Sequence, residues 1–244
     1  MPANTQDHDA LNRPRRFWKD VSVAENDGGG FTVLLDARPA KTPVGARLVL
    51  PASALAELVA AEWSAVGEHV NFALMPATRL AFTAIDRIGQ VRAAVAQEVA
   101  SYAATDLICY FAEGPEALVA REEAGWGPML AWAREALDVE LVRAAGIAHR
   151  PQPPETVERI AALAAELDDF GLAGLSWAAA LFGSAILAFA VQRGGLGGRE
   201  AYALSRLDEA FQEERWGVDA EAAERTATLA SQAELLERWF VALR

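Results

Sequence analysis

The chain has 244 residues, of which 52% are hydrophobic and 23% are charged, the balance of an ordinary globular protein with enough length to bury a core. The net charge of −12 argues against a nucleic-acid-binding protein, because phosphate neutralisation requires clustered Lys and Arg. The single cysteine, Cys109, excludes an internal disulfide and is typical of a reducing compartment.

The first residues, MPANTQDHDALN, contain two aspartates and lack the apolar core of a secretion signal. We expect residues 1–14 to form a flexible tail and the protein to be cytoplasmic. Segments 17–23 and 31–35 flank the turn-rich sequence NDGGG, which predicts a β-hairpin. Segment 47–50 predicts another short strand, and segment 52–66 has apolar residues at helical spacing. Together they predict a β-rich domain over residues 15–88.

From about residue 90 the apolar spacing is helical, which predicts a second domain over residues 89–244. Helices are expected over 155–170, 172–193, 199–216 and 219–243. Residues 172–191 carry no charge and are long enough to cross a bilayer. Their many Ala, Gly and Ser residues, and the absence of a flanking basic cluster, favour a buried helix and no membrane insertion. The predicted fold class is α+β, with a small β-rich amino-terminal domain followed by a larger all-helical domain.

Asp106 lies four residues after Tyr102, at the end of an apolar line with helical spacing. We expect its carboxylate to be at least partly buried, and a buried carboxylate requires a partner. Arg79 and Arg87, in an otherwise apolar segment, are the candidate partners in a structural ion pair. An alternative is an enzyme of unknown substrate, with Asp86, Arg87 and Asp106 forming a site at the domain junction.

The predicted helix over 199–216 is a candidate recognition surface. At about 100° per residue, Leu204, Leu207 and Phe211 cluster on one side, which we expect to be buried. The opposite side is predicted to carry Tyr202, Arg206, Glu209, Glu213 and Trp216, flanked by Asp208 and Glu214. Exposed aromatic residues are enriched at binding hot spots. A solvated face with an Arg206–Glu209 pair is the alternative.

No catalytic or metal-binding pattern stands out. The three histidines, His8, His69 and His149, lack the spacing of metal ligands. We therefore expect no catalytic residue, no cofactor and no metal. The cluster RRFWK at 15–19 combines basic and aromatic residues, a combination that can bind single-stranded nucleic acid. In a chain this acidic it is more typical of a first strand with Phe17 or Trp18 facing inward.

A series of longer motifs occurs in a familiar order. The most specific are MPATRLAFTAIDR and LDEAFQEERWG, and the others include RRFWKDVSV, LLDARPAKTP, AAEWSAVGEHVNF, YAATDLICYFA, WGPMLAW and LFGSAILAFAV. Over residues 15–242 the chain resembles the assembly chaperones that handle the alpha subunit of F1-ATP synthase in mitochondria and alphaproteobacteria. One departure is the Ala in LLDARPAKTP, where a Gly is expected.

The resemblance implies a non-enzymatic chaperone. Such a protein binds the unassembled alpha subunit, shields its subunit interface and releases it as the alpha/beta hexamer assembles. It also implies no ATP, and a mitochondrial matrix location for eukaryotic relatives. We expect the free protein to be a monomer. The acidic carboxyl-terminal motif of the family matches Asp208, Glu209, Glu213 and Glu214 with Trp216. A general hydrophobic-surface chaperone remains a further alternative.

Overall fold

The computed structural model describes residues 13–146 and 148–244. Nearly all of the expected flexible tail, residues 1–14, therefore lies outside the described residues. The chain divides into two compact units. The first runs to Asp86 and includes Ala242–Arg244, and the second is Arg87–Val241. The division falls two residues before the expected boundary at residue 88.

Strands and one packed helix make up most of the first unit. Its elements are β1 (Val21–Glu25), β2 (Phe31–Leu35), β3 (Arg38–Pro39), β4 (Val49–Leu50), α1 (Ser53–Ser64), the 3₁₀ turn Phe72–Leu74 and α2 (Pro76–Thr83). A π-helical turn, Ala84–Ile88, follows α2. The second unit contains α3 (Gly89–Ala104), the 3₁₀ turn Leu107–Cys109, β5 (Tyr110–Phe111), α4 (Glu116–Leu137), β6 (Ala144–Ala145), α5 (Pro154–Glu166), α6 (Asp169–Phe182), α7 (Ala185–Arg193), α8 (Gly198–Ser205), α9 (Leu207–Trp216) and α10 (Ala220–Leu243). The predicted fold class, a small β-rich region followed by helices, is confirmed.

The sheet of the first unit is antiparallel and is organised around β2. Strand β1 pairs with β2 from Val21 opposite Leu35 to Glu25 opposite Phe31. Strands β3 and β4 both pair with β2. The predicted hairpin is present, although its first strand begins at Val21 rather than at residue 17. Helix α1 contacts this sheet and contributes buried Leu55, Val59 and Trp63.

The uncharged segment 172–191 forms two helices, so the single helix predicted over 172–193 is wrong. Helix α6 ends at Phe182, and Gly183 then adopts a left-handed conformation with φ of 61°, which glycine reaches without steric cost. Ser184 caps the next helix, because its Oγ accepts a hydrogen bond from the backbone N–H of Leu187 at 3.0 Å. Among residues 13–146 and 148–244, none of the helices combines the length and the apolar character that a membrane span requires.

The segment predicted as one helix over 199–216 is also interrupted. Arg206 has φ of −121° and ψ of 25°, which separates α8 from α9. The carbonyl of Leu204, just before the break, accepts a hydrogen bond from Nε1 of Trp126 at 2.9 Å. Helix α8 begins against α10, and a Cβ added at Gly198 would lie 2.0 Å from the carbonyl oxygen of Ala233. Only glycine allows this approach.

The second unit is not entirely helical. Strands β5 and β6 form a two-residue parallel ladder, with Tyr110 opposite Ala144 and Phe111 opposite Ala145. This ladder joins the segment after α3 to the loop between α4 and α5. The expectation of an all-helical second domain is therefore slightly too simple.

Candidate partner-binding site

Helix α9 buries one side and exposes the other. Leu207 and Phe211, four residues apart, are both buried. Asp208 and Glu209 are exposed. Trp216, at the last position of the helix, is 84% exposed. An indole this exposed contributes little to the core, so it is available for burial by a partner.

The carboxylate of Glu214 is engaged by an arginine of α4. Arg121 donates from Nη1 to Oε1 at 2.7 Å and from Nη2 to Oε2 at 2.9 Å. These two hydrogen bonds lower the pKa of Glu214. The Arg121 guanidinium also lies 5.2 Å from the ring centroid of Phe211. Glu214 thus contributes to holding α9 on α4, and its charge is largely compensated.

Glu213 is paired as well, and its partner differs from the expected one. Arg206 donates to the Glu213 carboxylate at 2.6 Å and to Oγ1 of Thr226 at 2.9 Å. The alternative Arg206–Glu209 pair is therefore replaced by an Arg206–Glu213 pair across the start of α9.

Tyr202 does not lie on the exposed surface. Its side chain is only 5% exposed, in contrast to the prediction. The prediction assumed one continuous helix, and the backbone break at Arg206 changes the rotation of α8 relative to α9. Residues before the break therefore cannot be placed on the same helical face as Glu209 and Trp216.

Asp208 and Glu209 line a cleft of about 400 Å³ within the second unit. Its other lining residues come from the segments around the ends of α3, α6 and α8 and from α4, and they are Thr105, Leu107, Tyr110, Trp126, Gly183 and Ser205. The exposed carboxylates of α9 thus adjoin a concave surface with both apolar and polar groups. This combination can accept a protruding side chain of a partner.

Glu122 was missed by the sequence analysis. It is completely buried in α4, and its Oε2 accepts a hydrogen bond from the backbone N–H of Ala112 at 2.7 Å. Burial, followed by the nearby carboxyl group of Asp208, raises the pKa of Glu122 to about 7. The signal was present in the sequence, because Leu118, Glu122 and Trp126 recur every four residues along one buried face.

Asp106 is completely buried, but its partners are not arginines. Its Oδ2 accepts from the backbone N–H of Ile186 at 3.1 Å, and its Oδ1 accepts from the N–H of Ile108 at 3.4 Å. Burial raises its pKa to about 6, in spite of further hydrogen bonds from Ser184 and Ala185. The carboxylate therefore lies at the amino terminus of α7, where unpaired backbone N–H groups favour a negative charge.

The expected ion pair of Asp106 is a prediction that the structure corrects. Within the described ranges, no Lys or Arg nitrogen lies within 4.0 Å of the Asp106 carboxylate. Arg79, in the first unit, and Arg87, in the second, both have exposed side chains. The backbone N–H groups of Ile186 and Ile108 compensate the Asp106 carboxylate, a role that the sequence analysis assigned to these arginines.

The remaining candidates for chemistry are unremarkable. Cys109 is buried, and burial, then the charge of Asp106, raises the pKa of its thiol. Nδ1 of His149 lies 3.1 Å from the hydroxyl of Tyr110, and His8 lies outside the described residues. In the part of the chain that the structure describes, no group of three His, Cys, Asp or Glu residues could hold a metal ion.

Comparison with known proteins gives a consistent result. Residues 15–134 match the family described as ATP12 chaperone protein. The protein atp12, mitochondrial, of Schizosaccharomyces pombe is 29% identical over 216 residues, which are 83% of this chain and 74% of that relative.

Solved structures extend the similarity over nearly the whole chain. The crystal structure of Atp12 from Paracoccus denitrificans has a TM-score of 0.88 and 42% identity, covering 94% of this chain and 98% of that chain. A crystal structure of an Agrobacterium tumefaciens protein has a TM-score of 0.89 and 39% identity, covering 100% of this chain and 92% of that chain. The likeness therefore includes the segment that contains α9.

Proposed function

Because this chain belongs to the ATP12 chaperone family, we propose that it binds the unassembled alpha subunit of F1-ATP synthase. The bound chaperone shields the interface through which alpha meets beta and releases alpha as the alpha/beta hexamer assembles. A subunit of an alternating ring has large interfaces that aggregate when uncovered. Binding and displacement are sufficient for this activity, so the proposal requires no cofactor.

The proposed binding surface rests on one observation, which is that Trp216 and Glu209 are both exposed on α9. Glu209 and Trp216 are seven residues apart, so they lie close to the same face of the helix. Trp residues dominate binding free energy when a partner buries them. Carboxylates around such an aromatic residue steer a basic partner surface into contact. We therefore propose α9 as the surface that contacts alpha.

The charges of α9 divide the predicted residues into two groups. Arg121 and Arg206 compensate Glu214 and Glu213, so these two carboxylates mainly hold the helix in place. Asp208 and Glu209 line the cleft, and we propose that they contact the partner together with Trp216. We expect the complex to form in the bacterial cytoplasm, or in the mitochondrial matrix for eukaryotic relatives.

The test is co-purification of the tagged full chain from cells of its own source, with mass spectrometry of the retained proteins. We expect alpha in excess over beta and gamma, and loss of alpha when the bait carries Trp216→Ala. Retention of many unrelated proteins in place of alpha would support a general hydrophobic-surface chaperone. Retention of no ATP synthase subunit, under conditions that preserve weak complexes, would contradict the proposal.

A further inference from the structure

The first unit contains a second concave surface that the proposed function does not use. It is a cavity of about 460 Å³ whose wall is formed mainly by aromatic and cationic side chains, including Phe17, Trp18, Trp63, Phe72, Arg38 and Lys41. All of its lining residues lie between Pro14 and Phe72. We refer to it below as the aromatic cavity.

The aromatic residues of this cavity form a connected series. The ring centroids of Phe17 and Trp18 are 5.1 Å apart, those of Trp18 and Trp63 are 5.3 Å apart, and those of Trp63 and Phe72 are 6.2 Å apart. Trp18 and Trp63 are buried, whereas Phe17 is 64% exposed. Packed rings beneath one exposed ring form a firm apolar surface, and an apolar side chain from outside can cover it.

The charge around the aromatic cavity is positive, although the protein carries a net charge of −12. Arg15, Arg38 and Lys41 belong to the lining, which contains no Asp or Glu. Residues 13–86 contain eight Lys or Arg and eight Asp or Glu, so the acidic excess lies elsewhere in the chain. The lining of the cavity is therefore positively charged in a protein that is acidic as a whole.

The nearby carboxylates do not neutralise all of these cations. Glu68 pairs with Arg15 at 3.1 Å. Asp36 accepts hydrogen bonds from the backbone N–H groups of Asp20 and Lys19, and the charges of Lys19 and Arg38 further lower its pKa, so Arg38 is partly compensated. Within residues 13–146 and 148–244, the side chains of Arg38 and Lys41 have no carboxylate within 4.0 Å.

The unsatisfied polar groups of the wall are donors. In the described ranges, neither Nε1 of Trp18 nor Nε1 of Trp63 has a hydrogen-bond acceptor. Buried indole N–H groups usually find a partner. The wall thus has an excess of donors and positive charge over acceptors and negative charge.

We propose that the aromatic cavity is a docking site for a peptide segment of a partner protein in which carboxylates flank an aliphatic or aromatic side chain. The apolar side chain covers Phe17, and the carboxylates lie against Arg38 and Lys41. A single-stranded nucleic acid fits less well, because Trp18 and Trp63 are too buried to offer faces for base stacking, and the net charge opposes a polyanion. The site is in a different unit from α9. A negative result for the aromatic cavity therefore leaves the proposal for α9 untouched, and the reverse also holds.

The experiment uses the full chain and a fluorescein-labelled peptide, Glu-Asp-Leu-Phe-Asp-Glu, with binding measured by fluorescence anisotropy. The comparison probes are the neutral peptide Gln-Asn-Leu-Phe-Asn-Gln and an oligothymidine of similar length. We expect saturable binding of the acidic peptide and at least about tenfold weaker binding of both comparison probes.

Two variants address the two halves of the site. Phe17→Ala removes the exposed ring, and Arg38→Glu with Lys41→Glu reverses the charge. Each is expected to weaken binding of the acidic peptide by about tenfold or more. The matched controls are Val44→Ala, an exposed apolar residue outside the lining, and Arg79→Glu, an exposed cation outside the lining. Both controls should bind as the parent chain does.

Several outcomes would overturn this proposal. They are the absence of binding by the folded protein, binding by folded Phe17→Ala and by the charge-reversed variant that is as tight as binding by the parent chain, and preferential binding of the oligothymidine. Self-association that Phe17→Ala abolishes would identify a second copy of the chain as the occupant and would also overturn it. Circular dichroism of each variant shows whether the fold is retained. If Phe17→Ala fails to fold, the charge-reversed variant decides.

Discussion

Asp208, in the first turn of α9, lies close enough to Glu122, a carboxyl group that is completely buried in α4, to raise its pKa. A neighbouring carboxylate disfavours the ionisation of a buried carboxyl group, because the two negative charges repel each other. Burial and Asp208 together raise the pKa of Glu122 to about 7, so Glu122 keeps its proton in the folded protein up to near-neutral pH. The contact between α4 and α9 is therefore sensitive to pH near neutrality.

The first prediction is that the free energy of unfolding decreases as pH rises from about 5 to 8. Between the ordinary pKa of a glutamate and about 7, the folded protein binds a proton at Glu122 that the unfolded chain has lost. Stability falls with pH wherever the native state binds more protons. The raised pKa of Glu122 corresponds to a loss of roughly 3 kcal/mol in the free energy of unfolding across this range. Urea unfolding at a series of pH values measures the effect.

Glu122→Gln isolates this contribution. A glutamine can still accept from the N–H of Ala112 and can donate to Asp208 without titrating. The variant should therefore show a flatter dependence of stability on pH. Glu135→Gln, on the same helix, is the matched control, because Glu135 is exposed. A Glu122→Gln profile identical to that of the parent chain would contradict the assignment.

The second prediction concerns Asp106 and the start of α7. Asp106→Ala should lower the free energy of unfolding by about 2–4 kcal/mol, because it leaves buried N–H groups without an acceptor and creates a small cavity. Asp106→Asn keeps an acceptor oxygen and should cost less. Glu98→Ala, an exposed carboxylate on α3, is the control. An unchanged melting curve for Asp106→Ala would show that the amides do not depend on this carboxylate.

The third prediction tests the close approach of α8 and α10. A Cβ at Gly198 would meet the backbone oxygen of Ala233 at 2.0 Å, whereas a Cβ at Gly197 would meet only the Glu237 carboxylate, at an ordinary contact distance of 3.5 Å. Gly198→Ala should therefore destabilise the protein by about 2–4 kcal/mol, because the helices must separate. Gly197→Ala should stay within about 1 kcal/mol of the parent chain. Similar thermal melting of the two variants would contradict this packing.

The fold class could be predicted because the spacing of apolar residues changes clearly near residue 90. One helix break was also visible in principle. Gly183 followed by Ser184 combines a residue that ends helices with one that begins them, yet the long uncharged run concealed the boundary. The break at Arg206 carries no such local signal, since neither Gly nor Pro occurs nearby. At this break the Leu204 carbonyl accepts a hydrogen bond from Trp126 of α4, which is a tertiary contact that the local sequence does not reveal.

The candidate site was predictable only in part. Helical spacing correctly predicted buried Leu207 and Phe211, but it cannot reveal which exposed carboxylates find an arginine from a distant element. Arg121 lies 93 residues before Glu214, so their pairing depends on the tertiary fold. Glu122 follows the same rule of spacing that drew attention to Asp106. Its burial could have been predicted, but its contact with Asp208 could not.

The fourth prediction is that charge reversal at Glu213 and at Glu209 has different effects on the free energy of unfolding. Glu213→Lys places a second cation beside Arg206 and should lower the free energy of unfolding by about 1 kcal/mol, since the existing pair is partly buried. Glu209→Lys should change it by no more than about 0.5 kcal/mol, as is usual for exposed positions. Chemical denaturation of both variants measures the difference. Equal losses would mean that the Arg206–Glu213 pair does not stabilise α9.

The last prediction concerns binding by α9, and the pairing of Glu213 decides which variants are informative. A double charge reversal at Glu209 and Glu213 would weaken α9 and the binding surface together, so loss of binding would be ambiguous. Trp216→Ala and Glu209→Lys avoid this, because both side chains are exposed. Each should leave the melting temperature nearly unchanged.

With purified alpha subunit, Trp216→Ala should weaken the complex by about 2 kcal/mol or more, as expected for a hot-spot tryptophan. Glu209→Lys should act mainly by slowing association, and its effect should shrink as the salt concentration rises. Val218→Ala, just beyond α9 and about half-exposed, is the control for Trp216. Unchanged affinity of both folded variants for alpha would exclude α9 as the contact surface, and the first unit would then become the place to search for it.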